Sequence, residues 1–189
     1  IGFDFHFGKG RAGTPAMLQD RCTAAGIAVH IEPHYDWQGH PVSSSEVRKA
    51  LSEGELAHAN DLLGYPYFVS GSVIHGEKRG RTMGYPTANI ALDPANALKH
   101  GIYAVRVAQD GVLREGVASF GRRPTFDNGA PLLEIFLFDF AGDLYGQNLD
   151  VAFIAYLRDE MRFDSLDALI AQMDRDSADA RTALARQPG

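Results

Sequence analysis

Five short runs rich in β-branched and aromatic residues dominate the middle of the chain: Tyr67–Ile74, Ile102–Ala108, Val112–Phe120, Leu132–Phe138 and Leu149–Ile154. Strands joined by such brief connections predict an antiparallel sheet, and closing that sheet into a barrel removes its open edges. Asp110-Gly111, between the second and third runs, is a residue pair suited to a two-residue hairpin turn. A helix should follow the last strand. Asp164 or Ser165 would cap it, and Leu166, Leu169, Ile170 and Met173 form an i, i+3, i+4, i+7 stripe to pack on the barrel.

The first 64 residues have a different texture. Ile1–Phe5 reads as a short strand, and glycines 8, 10 and 13 form a loop. Thr14-Pro15 supplies an N-cap and a first-turn proline for a helix to about Ala25, stopped by Gly26. Ile27–Ile31 reads as a second strand and Glu32–His40 as loop. Ser43 and Glu46 have the spacing of a capping box for a helix through Leu51, and ELAHANDLL is a further helix ending at Gly64. Strand, helix, strand is the rhythm of a parallel layered sheet, so a domain boundary is expected near Gly64.

Bulk properties exclude several classes. With 24 acidic and 18 basic side chains the formal charge is -6, which leaves no basic footprint for nucleic acid. A lone cysteine, Cys22, rules out an internal disulfide framework and suits a reducing, cytoplasmic setting. No apolar run approaches the length that spans a bilayer, and the start shows no signal-peptide pattern. Beginning at Ile1, inside an expected strand, the chain reads as the back part of a longer protein.

Three stretches could carry chemistry. Gly76, Gly80 and Gly84 recur every four residues after a strand, with Lys78, Arg79 and Arg81 between them. Glycines let backbone N–H groups approach an anion and the cations add charge, as a phosphate cradle requires. A hairpin tip with solvated charges fits the same residues. Next, Thr87 and Asn89 lie two apart in Pro-Thr-Ala-Asn, so in an extended segment their hard oxygens point one way, toward a Mg²⁺ ion for instance. A local turn after a proline is the plainer alternative. Finally, Glu134 interrupts the apolar run PLLEIFLF. A carboxylate there is an exposed strand end, a salt-bridge partner, or a base made stronger by apolar surroundings.

In order, GEKRGRTMGYPTANI, GIYAV, GVASFGRRPTF, LEIFLFDF, DLYG and YLRDEMRFDSLDALIAQM resemble the riboflavin kinase module of bacterial bifunctional riboflavin kinase/FAD synthetases, from Tyr65 to the C-terminus. GFDFHFGKGRAG and VSSSEVRKALSEGELAHANDLLG resemble the end of the FMN adenylyltransferase module of the same proteins. The resemblance implies residues 1–64 as an α/β remnant of a Rossmann-like nucleotidyltransferase domain. Residues 65–189 would be an antiparallel β-barrel of the riboflavin kinase type with a C-terminal helix.

It also implies roles. Glu134 would be the catalytic base that takes the proton of the ribityl 5′-hydroxyl of riboflavin. Thr87 and Asn89 would hold Mg²⁺, while Gly76, Lys78, Gly80, Arg81, Met83, Gly84 and Tyr85 would bind ATP. Arg158 and Phe163 match positions near the flavin, although an ion pair and a core aromatic explain them as well. In the front segment Asp4, Ser44, Ser45 and Arg48 match the adenylyltransferase, where a helix N-terminus meets ATP phosphates. None of the seven histidines forms the H-x-G-H element that adenylyl transfer in this family needs, so FAD synthesis by this chain alone is not expected. The substrates implied are small molecules, riboflavin and ATP. A flavin- or nucleotide-binding module without turnover is the competing expectation.

Overall fold

The turn at Asp110-Gly111 sets the register of the main sheet. Both residues adopt positive φ, 49° and 78°, and bring Gln109 opposite Val112. Such a turn matches the right-handed twist of the strands it joins. The computed structural model describes residues 1–76, 84–122 and 131–187. They form two compact units, Ile1–Ser43 and Ser44–Gly189.

In the second unit, helices α2 (Ser44–Glu53) and α3 (Leu56–Leu63) precede six strands and a long final helix. The strands are β3 (Phe68–Ser72), β4 (Ala88–Ala91), β5 (Gly101–Gln109), β6 (Val112–Arg122), β7 (Pro131–Leu137) and β8 (Asn148–Arg158); the helix is α4 (Leu166–Arg186). Their order is β3-β8-β5-β6-β7-β4, with every pairing antiparallel. A bridge between Ile74 and Asn89 brings the two outer strands together, so the sheet is a nearly closed barrel.

Alternation along the strands fills that barrel. Tyr103, Val105, Phe120, Leu133, Ile135, Val151 and Phe153 are buried inside, joined by Ala50, Leu51, Leu56 and Ala59 of α2 and α3. Asn60 of α3 locks the junction: its Nδ2 donates to the Phe153 carbonyl at 3.1 Å, and its Oδ1 accepts from the Tyr67 N–H at 2.7 Å. On the outer face Ala104, Val117, Phe136, Phe138 and Ile154 pack beneath Ala180, Ala183 and Leu184 of α4.

Helix α4 corrects one expectation. The expected stripe is not the buried face: Leu166 is 57% exposed, and Leu169, Ile170 and Met173 are only half-buried. The buried positions are Asp176, Ala180 and Leu184. Small alanines let the helix approach the sheet, and an aspartate on the inward face disguises the apolar period. Ser165 caps the helix by accepting from the Ala168 N–H at 3.2 Å.

In the first unit, helix α1 (Pro15–Ala24) has the expected cap, with Thr14 Oγ1 accepting from the Met17 N–H. The strands expected at 1–5 and 27–31 are absent; a single parallel bridge joins Gly2 to Glu32. Two lone segments pair only marginally without a third strand or a helix covering an apolar face, and here the pairing stops at one bridge. Within the expected loop lies a hairpin, β1 (Asp36–Trp37) and β2 (His40–Pro41), turning through Gln38 and Gly39 at positive φ.

Candidate active site

Glu134 lies mid-strand on β7, half-buried, on the face opposite core residues Leu133 and Ile135. The register sets it directly across from Asn89 on β4 and Ser119 on β6. Residues opposed in this way share a face, with Cβ atoms roughly 5 Å apart. The carboxylate and the Asn89 amide are therefore lateral neighbours.

Asn89 is only 5% exposed, and its Oδ1 has no hydrogen-bond partner among the described residues. Buried polar atoms are nearly always satisfied, so an orphaned carbonyl-type oxygen calls for an explanation. Its Nδ2 makes a long bond of 3.4 Å to the Thr87 carbonyl, and its own backbone carbonyl accepts from the Ile74 N–H at 2.8 Å. Gly76 presses against the amide so closely that a Cβ there would stand 2.5 Å from Nδ2. A hard oxygen fixed without a protein donor suits a hard cation such as Mg²⁺. Among the described residues no group of three or more His, Cys, Asp or Glu could hold a metal.

Thr87 lines a cleft of about 250 Å³ together with Val73, Ile135, Leu137, Leu144 and Tyr145. His75 rests against Tyr145 with ring centroids 4.0 Å apart. Neither aromatic was singled out from the sequence; the Asp-Leu-Tyr-Gly run at 143–146 was the available signal.

Tyr85 ties this region to α4. Its hydroxyl donates to Asp174 Oδ1, and its ring lies 4.7 Å from that of Phe136. Burial, then the Asp174 carboxylate, push the phenol's pKa up to about 12, so it stays a donor at any ordinary pH. Gly84, next to it, has φ 81°.

Arg158 is committed elsewhere. Its Nε and Nη2 donate to Asp176 Oδ1 and Oδ2 at 2.7 and 2.6 Å, and its Nη1 donates to the Asp159 carbonyl at 2.8 Å. Gln172 Nε2 completes the cluster at 2.8 Å from Asp176 Oδ1. A bidentate pair of this kind fixes α4 on β8. In the sheet, β5 and β6 separate β8 from β7. Phe163 follows β8 and is half-buried.

The geometry thus sets Asn89 opposite Glu134, with Gly76 against its amide and the Thr87 carbonyl 3.4 Å from its Nδ2, while Tyr85 rests on Phe136. Lys78, Gly80, Arg81 and Met83 lie outside the described residues. Asp4 is exposed in the first unit, while Ser44, Ser45 and Arg48 are exposed on the first turns of α2 in the second.

Two family models match the chain. A family model described as riboflavin kinase matches residues 63–184, and one described as FAD synthetase matches residues 1–46. Curated relatives named bifunctional riboflavin kinase/FMN adenylyltransferase include those of Haemophilus influenzae, 43% identical over 96% of this chain, and Listeria monocytogenes, 38% identical over 98%. That of Escherichia coli K12 is 42% identical over 96% of this chain. The chain spans about 59% of the length of the relatives it matches. A crystal structure described as a macrolide-efflux protein from Streptococcus pneumoniae superposes with a TM-score of 0.80 at 35% identity, covering 95% of this chain and 58% of that one. Among the described residues no helix is long and apolar enough to cross a membrane.

Proposed function

The chain belongs to the riboflavin kinase family, and from that premise we propose that it transfers the γ-phosphoryl group of ATP to riboflavin, forming FMN and ADP in the cytoplasm. The observation that carries this reading is the pairing of Glu134 with Asn89 across β7 and β4, beside an amide oxygen that no donor among the described residues satisfies.

Each residue has a defined task. Glu134 accepts the proton of the ribityl 5′-hydroxyl, and the freed oxygen attacks the γ-phosphorus in line as the bond to ADP breaks. Thr87 and Asn89 are the oxygens that would hold Mg²⁺, which when bound supplies charge neutralisation at the phosphates. Gly76 leaves Asn89 no room to turn away. Gly84 and Tyr85, with Lys78, Gly80, Arg81 and Met83 of the same segment, are assigned to the nucleotide by family likeness, and the cleft beside Thr87 is of a size to admit part of it. Arg158 and Phe163 are assigned to the flavin side on the same ground. For Arg158 that role is indirect, through α4, because Asp176 occupies its guanidinium. Positioning and charge neutralisation supply most of the acceleration in such a reaction.

We assign residues 1–64, including Asp4, Ser44, Ser45 and Arg48, to the end of a Rossmann-like adenylyltransferase module and 65–189 to the kinase module. On this assignment FAD requires residues beyond this chain. An assay with riboflavin, ATP and Mg²⁺ tests the whole reading: FMN without FAD is the expected product. Glu134→Gln should lower turnover by about 10²–10⁴-fold while flavin still binds. Flavin binding by calorimetry with no phosphoryl transfer would identify a binding module instead.

A further inference from the structure

We infer that Asp174, on α4, is a positioning residue for the phosphoryl transfer proposed above: by accepting the Tyr85 hydroxyl's hydrogen bond it holds the segment leading into β4, and with it Thr87 and Asn89, beside Glu134. The inference rests on the kinase reading and adds to it a residue that neither motif spacing nor family likeness assigned.

The segment Gly84–Thr87 needs an anchor. Pairing of β4 with β7 begins only at Ala88, opposite Ile135. Gly84 at φ 81° is conformationally free in a way that other residues are not. Tyr85 supplies the anchor at two points, its ring on Phe136 and its hydroxyl on Asp174. Phe136 and Glu134 alternate onto one face of β7, so the ring rests one position along from the candidate base.

The acceptor is itself firmly held. Two residues along α4, Asp176 makes its bidentate pair with Arg158 on β8. Near the helix end, Arg106 Nη2 donates to the Leu184 carbonyl at 3.0 Å, and Arg181 Nη2 donates to Asp139 at 3.0 Å. A helix fixed at three places presents Asp174 as a rigid post. Losing the Tyr85–Asp174 link leaves the Tyr85 ring on Phe136 as the contact holding Thr87 on that side, free to slide without its polar stop, and small displacements of a positioning group are costly in rate.

Three variants separate a positioning role from a merely structural one. Asp174→Ala and Tyr85→Phe should each lower kcat/KM for ATP by roughly 10-fold, with KM for riboflavin changed less than about two-fold. Asp174→Asn retains an acceptor oxygen and should stay within about two-fold of wild type. The double variant Tyr85→Phe/Asp174→Ala should be no worse than either single change, since both remove the same link. In the ligand-free protein, amide exchange at Ala88–Ile90 should quicken in the Ala and Phe variants and not in Asn. Wild-type kinetics in Asp174→Ala, or equal damage from Asp174→Asn, overturns the inference while leaving the kinase reading intact. A wild-type protein that forms no FMN overturns both.

Discussion

A methyl carbon added at Gly76 would stand 2.5 Å from Asn89 Nδ2, 2.9 Å from its Cγ and 3.1 Å from its Oδ1. Ordinary contacts are about 3.5 Å or longer, so in Gly76→Ala the amide has to retreat by roughly 1 Å. Gly76 is not among the glycines at positive φ, so alanine adds no backbone strain and the effect falls on Asn89. That residue cannot absorb the push elsewhere: it is buried, and its carbonyl is pinned to the Ile74 N–H. Displacing a positioning group by 1 Å costs on the order of 10²-fold in rate, equivalent to ~2.7 kcal/mol at 1.36 kcal/mol per decade. The assay is steady-state FMN formation at varied Mg²⁺ and fixed saturating riboflavin. Turnover should fall about 10²-fold, with a raised Mg²⁺ requirement, while flavin affinity measured by fluorescence quenching stays unchanged. Wild-type turnover at the wild-type Mg²⁺ requirement would refute both the tight fit around Asn89 and its place in the reaction.

Two further outcomes concern stability. Asp176→Ala strands the Arg158 guanidinium and the Gln172 amide, and breaking a buried pair costs about 3–5 kcal/mol. Arg158 is 20% exposed, which favours the lower end; at about 2–4 °C per kcal/mol the calorimetric midpoint should drop by roughly 6–12 °C. Arg158→Met/Asp176→Leu should recover most of the loss, and a drop below about 2 °C in the single variant would show that the pair contributes nothing. At the mouth of β8, the Tyr156 hydroxyl and then Lys99 hold the Asp159 carboxyl below its usual range, while Asp159 first and Tyr156 second raise the Lys99 ammonium. A depressed carboxyl contributes stability above its unfolded pKa of 3.8 and loses it as pH falls through the lower folded value. The raised Lys99 contributes fully below 10.5 and fades only above it. The gap in urea midpoint between wild type and Asp159→Asn should therefore be present at neutral pH and small, both groups being exposed, and should close in strong acid; a gap independent of pH would refute the assignment.

Much of the barrel was legible because its strands obey period two and the turn between β5 and β6 announces itself as Asp-Gly. Strand ends were less so. β8 runs on to Arg158 because Tyr103 pairs with Tyr156 and Ile102 with Arg158, a partnership invisible in the polar-looking Tyr-Leu-Arg. Glu134 stood out as a misplaced charge and Asn89 as a hard-oxygen ligand, but their being neighbours did not. That Asn89 lies opposite it is a fact of register between distant strands, which periodicity cannot supply. The inward face of α4 was hidden for a related reason: Asp176 is tolerated there only because Arg158 and Gln172 meet it. The front strands failed in the opposite direction. Ile1–Phe5 and Ile27–Ile31 have strand-like residues, yet strand propensity expresses itself only against neighbouring strands.

Joining β3 to β8 also bears on how the molecule assembles as it is synthesised. Ser70 bonds Asp150 across 80 positions of chain, and at about 5–20 residues per second the ribosome delivers that partner several seconds after β3 emerges. The β5–β6 hairpin can form within microseconds of β6 leaving the tunnel, and β7 can add to it before β8 exists. Chain order therefore lets the wall that brings Asn89 to Glu134 be completed on the nascent chain before β8 closes the barrel against β3.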